Sequence, residues 1–185
     1  MARIGTIGNA ALLVVDVQNA VMKNAYDSAG VAARIAELAG RARAAGVPVI
    51  YVQHTDDSEL PENSHGWQLV PELDSGPADH HIQKHFNSAF EETGLDTLLH
   101  EMQVSELILA GAATNWCIRA TAYGALNRGY DLTLVADAHS CKDMQLSEEK
   151  TLFAADLILE LNMGIQYIEY PGIKTRVLKS VELTF

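Results

Sequence analysis

The sequence predicts an α/β fold, a parallel sheet with helices on both faces, expected as a three-layer, doubly wound arrangement of six strands if their order is 3-2-1-4-5-6. Two observations carry the class. Short runs dense in Val, Ile and Leu are apolar on both faces, as strands buried on two sides must be. They alternate with amphipathic helical stretches, the rhythm of parallel crossovers.

The first strand is "ALLVVDVQ" at 11–18. A helix follows over 29–45, where Val31, Ile35, Leu38 and Ala42 share one face, and it stops at Gly46 ahead of Pro48. "PVIYVQHT" at 48–55 is strand two, and a shorter "HIQK" at 81–84 is strand three. The connection between them, 56–80, carries no periodicity and suggests a lid or pocket wall. Next come a helix at 94–103, strand "LILAGAA" at 107–113, a helix at 116–128 and strand "DLTLVADA" at 131–138. A helix at 147–163 and strand "IQYIEY" at 165–170 complete the pattern.

At 185 residues the chain is expected to form one domain spanning 1–185. Its beginning, "MARIGTIGNAALLVVDVQ", has a single Arg and no long apolar run before the Asp, so neither a signal peptide nor a spanning helix is expected, and cytoplasmic is the default location. A formal charge of −11 opposes binding to nucleic acid or to an anionic membrane. With only two cysteines, Cys117 and Cys141, a disulfide framework is poorly served, and both are read as thiols.

Ligands of such sheets bind beyond the carboxyl ends of the strands, where the strand order reverses. Strand one ends at Asp16, strand two at His54, strand three at Lys84 and strand five at Asp137, while strand four runs into Cys117 at the start of a helix. Acid, base and nucleophile types therefore meet at one rim. Cys117 is either a nucleophile, activated by a helix N-terminus and a nearby Lys, or a small buried apolar residue. Asp16 closes a buried run and needs a partner, which Lys84 supplies either for catalysis or as a structural ion pair. Small residues at 111–113 leave room for backbone amides to meet an anion, and Thr114 is a candidate helix cap. Trp67 and Trp116 either line a pocket or pack in the core. His54, Asp56, Asp57, His65, His80, His81 and His85 carry donor types that suit a metal, yet no pair has HxxxH or HExxH spacing. No metal and no cofactor are expected.

With those residues assembled, the sequence resembles the isochorismatase-like cysteine hydrolase family. The likeness rests on "ALLVVDVQNAV", "RARAAGVPVIYVQHT", "HGWQLVPEL", "QKHFNSAFEETGLDTLL", "LILAGAATNWCIRATAYGALNRGYDLTLVADAHS" and "VELTF". The resemblance implies a catalytic triad of Asp16, Lys84 and Cys117, a cis peptide between Ala112 and Ala113, and an oxyanion hole made by the amides of Ala113 and Cys117. It also implies a homo-oligomer, dimer or tetramer. Nicotinamidase-like members carry an Asp-x-His metal segment where this chain reads Val52, Gln53, His54, and true isochorismatases lack the cysteine. Within the family the sequence resembles the streptothricin hydrolase-like branch. The expected activity is hydrolysis of a small amide, lactam or ureide through a thioester, with Gln18, Tyr26, His54, Trp67 and Trp116 around the substrate. A redox enzyme binding a nucleotide is the rival, but no G-x-G-x-x-G follows strand one. A noncatalytic or regulatory relative, or a hydrolase of a non-amide substrate, is the other alternative.

Overall fold

The computed structural model describes residues 9–185; residues 1–8 of the stretch read above for a leader lie outside the described residues. The elements run β1 (Asn9–Val15), α1 (Asn19–Met22), α2 (Ser28–Ala44), β2 (Val49–His54), β3 (His80–Lys84), α3 (Leu95–Glu101) and β4 (Val104–Ala112). A π-helical turn (Thr114–Ile118) leads into α4 (Arg119–Arg128), followed by β5 (Asp131–Ser140), β6 (Met144–Ser147), β7 (Lys150–Leu152), α5 (Ala154–Tyr167) and β8 (Thr175–Leu178). The main sheet has the order β3-β2-β1-β4-β5-β8, and every neighbouring pair in it is parallel. This is the doubly wound order read from the sequence, with the sixth position filled by β8.

Period-two alternation along β1 divides the core. Ala11, Leu13 and Val15 face a layer with Leu95, Leu99, Ala122, Leu126, Leu161 and Ile165 from α3, α4 and α5. Leu12 and Val14 face the opposite layer with Val31, Ile35, Leu38 and Ala42 of α2. Burying each such Leu, Ile or Val contributes about 1.5–3 kcal/mol, which is why strands dense in these residues occupy the centre. Helix α2 ends as its sequence requires. Gly46 has φ 74°, the Val47 amide donates to Ala42 O at 2.9 Å, and the Gly46 amide donates to Arg43 O at 3.1 Å, closing the helix with a left-handed residue.

Two elements near the end differ from the sequence reading. The segment 165–170 is not a strand: Ile165 is buried at helical spacing from Leu161 and belongs to α5. Strand six is instead β8, "TRVL", an edge strand whose Thr and Arg break the apolar run that would have marked it. The helix expected to begin at 147 starts at Ala154, where Asp143 Oδ1 accepts the first free amide at 2.7 Å. Residues ahead of it form the antiparallel β6–β7 hairpin.

Candidate active site

The strand order reverses between β1 and β4, so the crevice at their carboxyl ends is the place to look. Gly111 lets the two strands close up there. It pairs with Val15, has φ 126°, and a Cβ at this position would lie 2.0 Å from Val15 O. The Ala112–Ala113 peptide that follows is cis. Ala113 O then accepts the amides of Trp116 at 3.0 Å and Ile118 at 3.1 Å, which winds Thr114–Ile118 into a π-helical turn and carries Cys117 into the crevice. Among the described residues, the Ala113 amide has no hydrogen-bond acceptor.

Asp16 leaves β1 with φ 52°, its amide bonded to Val52 O at 2.8 Å, and its side chain turned into the crevice. Lys84, at the end of β3, reaches past β2 to meet it. Lys84 Nζ lies 2.7 Å from Asp16 Oδ2, with the two side chains 0% and 2% exposed. The same ammonium donates to Cys117 Sγ at 3.3 Å and Phe86 O at 3.2 Å, and lies 3.2 Å from His54 Nδ1. Four acceptors surround three N–H groups, so the longest contact, to sulfur, has room to strengthen as charge grows there. Asp16 Oδ1 is buried and has no hydrogen-bond partner. The three residues nominated by strand-end position thus come together at one lip of the sheet. Asn87, whose Oδ1 is 4.0 Å from Cys117 Sγ, joins them without any signal in the sequence.

Burial is the largest influence on each titrating group. It lifts the Asp16 carboxyl above the ordinary carboxylate range while Lys84 pulls the other way, leaving a stronger base than a solvated aspartate. It pushes the Cys117 thiol up to about 12, with the Asp16 charge adding to the effect and Lys84 opposing it. This differs from the sequence expectation of a thiol acidified by helix and lysine. The thiolate fraction at pH 7 is then only about one in 10⁵, so the resting group is a thiol. His54 is held down by burial and by Lys84, which fits a neutral ring accepting at Nδ1.

The other nominated residues divide. Trp116, 53% exposed, stands beside Ala113 on a cavity of about 310 Å³ that Asn115, Leu60 and Met144 also line. That volume suits a small molecule. Gln18, Tyr26, His54 and Trp67 do not line it. Gln18 is fully buried, and its carboxamide bonds His54 O, His54 N and Trp67 O at 2.8–2.9 Å. Trp67 Nε1 donates to Thr55 Oγ1 at 2.8 Å. Tyr26 is exposed, with its backbone held by Cys141 and Ser140. Asp137, read as the end of strand five, is turned to Ser180 instead. Among the histidines weighed for a metal, His81 stacks on Tyr51 and His85 Nδ1 lies 2.9 Å from Thr55 O. Among the described residues no three His, Cys, Asp or Glu side chains gather as a ligand set. No helix of the described residues is long and apolar enough to cross a membrane.

Comparisons with known proteins agree with this architecture. The isochorismatase domain matches residues 10–156. A streptothricin hydrolase of Streptomyces noursei is 37% identical over 139 residues, 72% of this chain and 50% of that protein, so the chain spans about half the length of this relative. A ureidoacrylate amidohydrolase of Pseudomonas syringae pv. syringae is 29% identical over 187 aligned positions, covering 79% of this chain and 76% of that one. A cysteine hydrolase from Pseudomonas syringae pv. phaseolicola 1448A superposes with a TM-score of 0.82 at 26% identity, over 94% of this chain and 90% of the other. By sequence match and by fold, the chain belongs to the isochorismatase-like cysteine hydrolase family.

Proposed function

We propose that this protein hydrolyses a carbon–nitrogen bond of a small amide, lactam or ureide through a thioester on Cys117. One observation carries the reading: in a buried crevice, the Lys84 ammonium touches both the Asp16 carboxylate at 2.7 Å and the Cys117 sulfur at 3.3 Å, while Asp16 Oδ1 has no hydrogen-bond partner among the described residues. A buried acceptor with no donor is costly unless the reaction uses it. The names of the relatives, a streptothricin hydrolase and a ureidoacrylate amidohydrolase, support the substrate class.

The chemistry follows from the groups. Asp16 takes the thiol proton as the sulfur attacks the carbonyl carbon, and Lys84 offsets the charge on both. The carbonyl oxygen becomes an oxyanion and rests on the amides of Ala113 and Cys117, where each well-aimed donor contributes about 3 to 4 kcal/mol. On collapse the C–N bond breaks, and the proton held by Asp16 passes to the leaving nitrogen, leaving the thioester. Water then gives a proton to Asp16 and attacks the acyl carbon. The second collapse breaks the C–S bond, and the proton returns to sulfur.

A panel of primary amides, N-carbamoyl acids and lactams, assayed for ammonia or amine release, tests the reading. Turnover should accompany a mass adduct on Cys117 and vanish in Cys117→Ala with the fold intact. An active Cys117→Ala variant overturns it.

A further inference from the structure

A buried polar chain stands behind the oxyanion turn, and the steps above do not use it. Thr114, the residue after Ala113, lies with Oγ1 2.9 Å from His139 Nδ1 of β5. Both side chains are buried, at 0% and 1% exposure. His139 Nε2 is 3.0 Å from Asn162 Oδ1 on α5, and Asn162 Nδ2 donates to Ala136 O at 3.1 Å.

The direction of every bond follows from its last member. A backbone carbonyl only accepts, so Asn162 gives its NH₂ to Ala136 and turns its Oδ1 to the ring. That oxygen also only accepts, so the proton of His139 sits on Nε2. A neutral imidazole has one N–H, hence Nδ1 accepts and the Thr114 hydroxyl donates. Burial keeps the ring neutral, driving it down to about 4. The chain joins α5, β5 and the turn after β4, with each link in a single orientation. Leucine or valine would fill a β-strand core at less risk, since a half-satisfied polar network is worse than none.

We propose that His139 is a positioning residue for acyl transfer at Cys117: by accepting the Thr114 hydroxyl it fixes the turn that presents the Ala113 amide to the oxyanion. The proposal rests on the thioester reading above. The Ala113 carbonyl is gripped by the Trp116 and Ile118 amides and the Asn115 side chain is tied to Met144 Sδ, while the Thr114 hydroxyl is the link directly next to the Ala112–Ala113 peptide. Cys117 keeps the Lys84 contact and its neighbour Ile118 keeps the bond to Ala113 O, and Asp16 leaves another strand, so loosening the Thr114 link acts first on the adjoining Ala113 amide.

The test uses the full chain with p-nitrophenyl acetate as acyl donor, read as a nitrophenolate burst, and iodoacetamide as a reagent for Cys117 that develops no oxyanion. Thr114→Val keeps the shape and removes the donor, Thr114→Ser restores it, and His139→Phe removes the acceptor. The acylation rate should fall about 10- to 100-fold in Thr114→Val. Half-saturation and the alkylation rate should stay within about twofold in that variant, and Thr114→Ser should recover most of the acylation rate. His139→Phe should repeat the Thr114→Val result, while Thr114→Val keeps the test decisive if the phenylalanine variant does not fold. A Thr114→Val enzyme that acylates like the parent, or one whose alkylation falls in step with acylation, overturns the positioning role. A parent protein in which neither p-nitrophenyl acetate nor the amide panel leaves an acyl mass adduct on Cys117 instead overturns the thioester reading, and this proposal with it.

Discussion

Lys84 donates to Cys117 across 3.3 Å, yet the thiol it touches is pushed up to about 12. The lysine does not prevail because burial opposes any charge on sulfur and because Asp16 already neutralises the ammonium at 2.7 Å. The site therefore holds a thiol and an ion pair at rest, not a preformed thiolate.

Asp16→Asn separates those two roles. Removing the carboxylate takes away the proposed base and one cause of the raised thiol, leaving Lys84 to favour sulfur as its counter-ion. Turnover should fall by at least about 10²-fold while alkylation of Cys117 at pH 8 speeds up by about tenfold or more. Breaking a buried pair should also lower stability by about 3–5 kcal/mol. Kinetics, iodoacetamide trapping and urea melts read the three effects, and slower alkylation would contradict the assignment.

His139 gives the fold an acid sensitivity. Its native value is lowered to about 4 from an unfolded value of about 6.5, so between these limits the unfolded chain binds more protons. Its contribution is present above pH 6.5 and lost as pH falls to about 4, roughly 3 kcal/mol in all. Urea midpoints across pH 4–7 should decline on acidification, and a folded His139→Gln variant should show a shallower slope over that window.

Gly111→Ala should not fold stably. A methyl 2.0 Å from Val15 O cannot be accommodated without parting β1 from β4, and φ 126° is foreign to alanine. A loss above about 4 kcal/mol, or insoluble expression, is expected. A soluble variant with an unchanged melting temperature would show that the strands tolerate separation.

Trp116→Ala should weaken substrate capture more than chemistry. The indole lines a cavity whose lining does not include Asp16, Lys84, His54 or Cys117. For a substrate that fills this cavity, KM should rise about tenfold with kcat changed by less than about threefold. A kcat loss with constant KM would assign the ring to the reacting centre instead.

The fold was legible where burial is two-sided. Leu12 to Val15 and Val49 to Val52 read as central strands because both faces are covered, and Val31, Ile35, Leu38 and Ala42 mark one face of α2. Edge structure was not: β8 mixes Thr and Arg with Val and Leu, while Ile165 and Ile168, close together in sequence, imitate a strand at the end of α5. Asp16, Lys84 and Cys117 meet at one rim because each stands at or just beyond a strand end, and strand ends are countable. Asn87 escaped since it lies in a loop with no period. His139 was overlooked although a histidine within the apolar strand DLTLVADAHS is itself a sign of buried hydrogen bonding. The values of the titrating groups depend on packing depth, which spacing along a chain does not encode.

The carboxamide of Gln18 has a wider consequence. It grips His54 and Trp67 together, and the Gln18–Leu69 bridge adds a further clasp, so the segment from Thr55 to Leu69 is held in place by the protein's own bonds. A gate made of that segment would have to break the Gln18 and Gln53 bonds to Trp67 O and the backbone bonds from Asn19 to Gln68 O and from Ala20 to Gly66 O to swing. Recognition can then proceed without the entropic penalty of ordering this stretch, and the free energy of contact goes into affinity rather than into setting a loop.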